Sequence, residues 1–107
     1  MARLLCSREF RKVYDEGTKY SGPLFAAFCR KTGGRDMARV GFTVPRAVGK
    51  AVVRNRIKRR MREVFRRRLR HVGSGWEIVV NPRRKVATAA AAEIEREVDR
   101  LLQRCES

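Results

Sequence analysis

Ten of the residues between Arg54 and Arg70 (RNRIKRRMREVFRRRLR) are Arg or Lys, nine of them Arg, against one acid, Glu63. A guanidinium offers a planar fork of donors that fits phosphate oxygens two at a time, so an arginine-rich block of this kind suits a polyanion. The apolar residues inside it are spaced rather than scattered. Ile57, Met61, Val64 and Phe65 fall at i, i+4, i+7 and i+8, which predicts an α-helix with one buried stripe. Asn55, Lys58, Arg59, Arg62 and Arg66 then face solvent, with Arg54 and Arg56 at the start of the block. The plain alternative is a solvated charged face. Such faces mix both signs for i,i+4 pairing, whereas here neighbouring cations go uncompensated through four turns.

A second group combines aromatics with cations. Phe10 and Tyr14 share a helical face, and Phe28 stands between Ala26 and Arg30 in an alternating run. Beside Arg30, Arg39 and Arg46 they could line a groove for single-stranded nucleic acid, where stacking is worth on the order of 1–3 kcal/mol per base. Each aromatic equally suits a hydrophobic core, and spacing leaves the two readings open.

Protein-side catalysis is not expected. His71 is the sole histidine, and the acids fall mainly in the first and last helices without an inward pair for acid–base work. Gly49-Lys50 lacks the upstream glycine spacing of a phosphate loop. Cys6, Cys29 and Cys105 are odd in number, lack a CxxC pair and cannot build a four-ligand zinc site. They read as small buried hydrophobes carrying reduced thiols in a cytoplasmic protein. The expectation is no catalytic residue and no metal site in the chain itself.

The elements that must carry these groups follow from pattern. Ser7 can cap a first helix that Gly17 stops. Pro23–Lys31 alternates as a strand, with Phe25, Ala27 and Cys29 on one side and Ala26, Phe28 and Arg30 on the other. Met37–Val44 alternates again, burying Ala38, Val40, Phe42 and Val44 until Pro45 ends the ladder. The basic helix stops at Gly73-Ser74-Gly75, Trp76–Val80 is a further strand, and a helix of apolar spacing runs from about Thr88 to Arg104. Helices and strands in this order predict an α+β fold with helices packed on a small sheet.

At 107 residues the chain suits one domain, residues 1–107. A net charge of +16 on a chain 43% hydrophobic describes a folded protein that repels itself until an anion binds. Nucleic acid is the first partner and an anionic membrane surface the second. The charge is uneven: residues 1–86 carry 24 basic and 6 acidic side chains, whereas residues 87–107 carry 3 and 5. That assigns the last segment to scaffold. No apolar run reaches transmembrane length.

Arg39-Val40-Gly41-Phe42-Thr43-Val44, followed by Arg46 and by Gly49-Lys50-Ala51-Val52-Val53-Arg54-Asn55-Arg56-Ile57-Lys58-Arg59, resembles the signature of the bacterial ribonuclease P protein component. Phe10-Arg11-Lys12-Val13-Tyr14 with Gly17 resembles that family's first helix, and Trp76–Val80 and the final helix its closing elements. The resemblance implies a four-stranded sheet with three helices in the order αβββαβα, ribosomal-protein-like, with a left-handed βαβ crossover that breaks the usual handedness. Thr18–Ser21 is then the candidate for the missing strand.

By the same resemblance the protein binds a catalytic ribonuclease P RNA one to one, as a monomer. The complex removes the 5′ leader of precursor tRNA, and the RNA performs the hydrolysis with Mg²⁺. Arg54, Asn55, Arg56, Lys58, Arg59, Arg62 and Arg66 would face the RNA subunit. Phe10, Tyr14, Phe28, Arg30, Arg39 and Arg46 would line a cleft for the leader. Two positions depart from the family pattern: Ala47 replaces a second basic residue after Arg46, and Asn81-Pro82 displaces a basic residue, leaving Arg83 and Arg84 as substitutes. A general or ribosomal RNA-binding protein fits charge and size but has no reason to show the Arg-Asn-Arg block. A helix-turn-helix DNA binder would want a helix, not a strand, before the basic helix.

Overall fold

The computed structural model describes residues 7–32, 34, 38–69 and 75–106, excluding the side chains of residues 7–10 and 106. Helix α1 (Ser7–Glu16) leads into β1 (Thr18–Ser21), β2 (Phe25–Lys31) and β3 (Arg39–Phe42); α2 (Ala51–Arg68), β4 (Trp76–Pro82) and α3 (Ala91–Glu106) follow. Single 3-10 turns at Arg46–Val48 and Arg84–Ala87 precede α2 and α3. The fourth strand is the Thr18–Ser21 segment.

The strands lie in the order β1-β2-β4-β3. β2 pairs antiparallel with both β1 and β4, while β3 runs parallel to β4. Parallel neighbours need a crossover, and α2 supplies it. Period-two alternation divides the sheet into two faces. Phe25, Ala27 and Cys29 of β2, Val40 and Phe42 of β3, and Ile78 and Val80 of β4 join one buried cluster. Ile57, Met61, Val64 and Phe65 of α2 and Ile94, Val98, Leu101 and Leu102 of α3 cover that cluster. On the opposite face, Val13 of α1 packs on Val79 and Phe28. The chain is therefore three layers: one helix, the sheet, two helices.

Two element boundaries differ from the periodicity. β2 starts at Phe25 rather than Pro23, because the backbone N–H groups of Leu24 and Phe25 donate to the Glu97 carboxylate. α3 starts at Ala91 rather than Thr88, after the Arg84–Ala87 turn, yet Ala87 is still buried. Glu97 is 0% exposed and is the buried charged residue of the described core. Its three contacts of 3.0–3.2 Å from backbone N–H groups satisfy a carboxylate that burial would otherwise penalise heavily. Burial, and then the Glu97 charge, push the Tyr20 hydroxyl above its ordinary pKa of 10.0.

Gly17 is required by close approach: a Cβ there would strike the carbonyl oxygens of Val13 and Cys29, where the chain leaves α1 and enters β1 beside β2. The expectation of reduced thiols is corrected for two cysteines. Cys29 and Cys105 form a disulfide, with Cα atoms 6.0 Å apart at a sequence separation of 76. Helix α3 returns its last turn to β2, a proximity that no sequence spacing reports. Cys6 and His71 lie outside the described residues.

Candidate nucleic-acid interface

Helix α2 begins at Ala51, and its N-cap, Lys50, makes no side-chain capping bond. The first turn holds no acid, while the last turn ends on Arg66, Arg67 and Arg68. The basic last turn suits the negative end of the helix dipole, but Lys50, Arg54 and Arg56 crowd the positive end, where an anion would be favoured. What retains the helix is its buried stripe. Ile57, Met61 and Phe65 are fully buried and Val64 nearly so, each contributing about 1.5–3 kcal/mol.

The polar residues of the block then separate into two sets. Asn55, Arg56, Arg59, Arg62 and Arg66 are exposed, and Arg59, Arg62 and Arg66 line a shallow groove together with Glu63. Lys58 is half-buried. Arg54 turns back, its Nε donating to the Gly49 carbonyl at 3.2 Å. Two further arginines are structural. Arg60 donates to the carbonyls of Val86 (2.7 Å) and Ala89 (2.6 Å), and Arg68 binds Asp99 at 2.7 Å and Glu95 at 3.8 Å. Arg60 and Arg68 thus face the neighbouring elements, and the exposed residues form the outer ridge. Val52, 79% exposed, extends that ridge with an apolar side chain at its start.

The cleft residues converge on the other face of the sheet. Register places Lys19, Phe28, Val79 and Gly41 in one row across the strands, and Arg30, Glu77 and Arg39 in the next. Tyr14, 37% exposed, stands edge-on to Phe28 with ring centroids 4.8 Å apart. The Lys19 ammonium lies 6.0 Å from the Phe28 ring centre. Phe10 lies on α1, with its side chain outside the described residues, and Arg46 is exposed in the turn after β3.

Arg30 and Arg39 do not stand as isolated cations. Arg30 donates to Glu77 at 2.6 Å and to Glu16 at 2.8 Å, and Arg39 lies 3.7 Å from Glu77. The hydrogen bond to Glu77 does most to raise the Arg30 pKa; partial desolvation opposes it and Glu16 adds to it. Glu77 thus holds two arginines in one row, fixing their directions while offsetting part of their charge.

Sequence reasoning missed Asn81 and Lys19. The Asn81 Oδ1 accepts hydrogen bonds from the Tyr14 hydroxyl (3.0 Å) and from the Thr43 hydroxyl. Among the described residues no acceptor meets its amide nitrogen, and Tyr14 is held against Phe28. The strand alternation of Trp76–Pro82, carried one pair beyond Val80, would have placed Asn81 on this face. Among the described residues no group of three or more His, Cys, Asp or Glu side chains is placed to hold a metal ion. None of the described helices is long and apolar enough to cross a membrane.

Residues 1–106 match the Ribonuclease P family. The chain belongs to that family. The ribonuclease P protein component of Dehalococcoides mccartyi is 42% identical over 100 residues, covering 94% of this chain and 81% of that one. The component from Beutenbergia cavernae is 39% identical over 97 residues, 91% of this chain and 82% of that one. The solved ribonuclease P protein of Thermotoga maritima superposes with a TM-score of 0.83 at 34% identity, covering 97% of each chain. A ribonuclease P protein of Staphylococcus aureus shares the fold at a TM-score of 0.80 and 25% identity. Membership of the ribonuclease P family agrees with the αβββαβα order and with the crossover through the basic helix.

Proposed function

We propose that this chain is the protein subunit of a cytoplasmic ribonuclease P, binding the catalytic RNA through the outer ridge of α2 and the 5′ leader of precursor tRNA in the cleft beneath α1. The observation that carries the reading is the division of labour on α2. Arg60 and Arg68 are spent on the fold, while Asn55, Arg56, Arg59, Arg62 and Arg66 face outward together on a rigid, half-buried helix. Phosphates neutralised there release counterions, so affinity should depend steeply on salt. The cleft offers Phe28 and Tyr14 for stacking, with Lys19, Arg30, Arg39, Arg46 and the Asn81 amide around them for the backbone.

The phosphodiester hydrolysis belongs to the RNA in this reading. Mg²⁺ is the metal of the holoenzyme in this reading, held by the RNA. What the chain itself does is position: it screens phosphate repulsion where RNA strands pack, and it gives precursor tRNA a contact that mature tRNA lacks.

Reconstitution tests this directly. Added to a bacterial ribonuclease P RNA at low Mg²⁺, the purified chain should restore cleavage of precursor tRNA at the mature 5′ end; no stimulation would reject the assignment. Replacing Arg59 and Arg62 with Ala should lower the slope of log affinity against log salt by about 1.5–2. Phe28→Ala should weaken binding of leader-bearing tRNA by roughly tenfold, the equivalent of about 1.4 kcal/mol of lost stacking, and leave mature tRNA unchanged.

A further inference from the structure

The last segment is acidic in sum, yet its acids and bases face different ways. Glu97 is buried and bound by the Leu24 and Phe25 amides. Glu95 and Asp99 turn toward α2, where both meet Arg68. What α3 presents outward on its other flank is Arg96 and Arg100, one turn apart and about 6 Å along the axis, both exposed. With Lys85 of the 3-10 turn they line a groove that also includes Pro23, Leu24, Glu93 and Glu97. Its charge is set by three exposed cations against the one exposed acid, Glu93. Arg84 is exposed beside it, and Arg83 is tied to the Gly22 carbonyl at the same end of the sheet. Among the described residues, the side chains of Lys85, Arg96 and Arg100 make no hydrogen bond or ion pair.

On α3, Glu95 and Asp99, which meet Arg68, set Arg96 and Arg100 apart from the ridge of α2, and the flank is on the opposite side of the sheet from the cleft. It also differs in kind. The groove has no aromatic side chain among its lining residues, so it has nothing on which an unpaired base could stack. A row of arginines without a stacking platform suits the phosphate backbone of a duplex, gripped by charge and bidentate hydrogen bonds.

From this we infer that the α3 flank, centred on Lys85, Arg96 and Arg100, is a further RNA-binding surface that holds the backbone of a double-helical segment, separate from the α2 ridge and the leader cleft. The protein then bridges RNA elements on two sides of its body rather than docking through a single helix.

The test compares salt dependence across variants. Binding of the full chain to ribonuclease P RNA, and to a plain RNA duplex, is measured over a range of salt for the wild type, Arg96→Ala/Arg100→Ala, Lys85→Ala and Arg59→Ala/Arg62→Ala. All substituted side chains are exposed, and thermal melting checks that the fold is kept. The expected result is a slope lowered by about 2 for Arg96→Ala/Arg100→Ala and by about 1 for Lys85→Ala, with the losses adding to those of the α2 pair. Slopes and affinities unchanged by both α3-flank variants would overturn the inference, even if those variants weaken binding to anionic vesicles or to an acidic polypeptide. A loss confined to the α2 pair would leave the α2 reading intact and remove this one.

Discussion

Glu97 shows how much one side chain can hold. A buried carboxylate costs several kcal/mol unless its oxygens are satisfied, and here the Leu24 and Phe25 amides satisfy it while shaping the turn between β1 and β2. Glu97→Ala would leave two backbone donors buried, and urea unfolding should show a loss of about 2–4 kcal/mol. Gly22 answers to the same carboxylate. A Cβ at Gly22 would lie 2.7 Å from the Glu97 Oε2 and 2.8 Å from the Tyr20 hydroxyl. Because Glu97 is pinned and cannot retreat, Gly22→Ala should cost about 1–3 kcal/mol in the same measurement. Either variant losing less than half a kcal/mol would mean that the turn tolerates reorganisation.

Helix α2 carries two interleaved codes in one arginine run. Composition cannot separate them, since Arg59 and Arg60 are the same residue type at adjacent positions. Only the step of about 100° per residue sends one outward and the other to the Val86 and Ala89 carbonyls. The two should therefore fail differently. Arg60→Ala should lower stability by about 2 kcal/mol and leave the salt slope of RNA binding unchanged, whereas the Arg59 and Arg62 pair should alter the slope and leave stability unchanged. Chemical denaturation and RNA titration on the same samples distinguish them. An Arg60 variant that lowered the salt slope would place that side chain on the RNA instead.

Taken whole, the exposed cations of this +16 chain lie along the outer side of α2, around the cleft and on the outer flank of α3 rather than in one patch. The sheet separates the cleft from the two helical flanks, and Arg68 with Glu95 and Asp99 divides those flanks from each other. The Cys29–Cys105 disulfide ties the end of α3 to the strand that floors the cleft. A crosslink closing so long a loop contributes about 2–4 kcal/mol, chiefly through the unfolded chain. Dithiothreitol, or Cys105→Ser, should lower the urea midpoint accordingly, and peptide mapping without reductant should recover the linked pair; free thiols at both positions would remove the effect.

Much of this architecture is legible in the residues. Period-two alternation assigned the sides of β2 and β3, and the helical spacing of Ile57, Met61, Val64 and Phe65 assigned the buried side of α2, because burial acts on every turn of a regular element. The Arg-Asn-Arg block and its preceding strand were enough to point to the ribonuclease P family. Contacts between distant segments were not legible. Glu97 on the Leu24 amide, Tyr14 on Asn81, Arg60 on the Val86 carbonyl and Cys29 with Cys105 each join groups far apart in sequence, and no local preference encodes them. The last segment does carry core residues, Ile94, Val98, Leu101 and Leu102, but its net charge did not reveal that Arg96 and Arg100 stay exposed: net charge counts residues, whereas a surface depends on which of them the fold turns inward. Sequence determined the elements and their faces through local geometry; tertiary packing decided which charges are spent inside the protein and which remain for a partner.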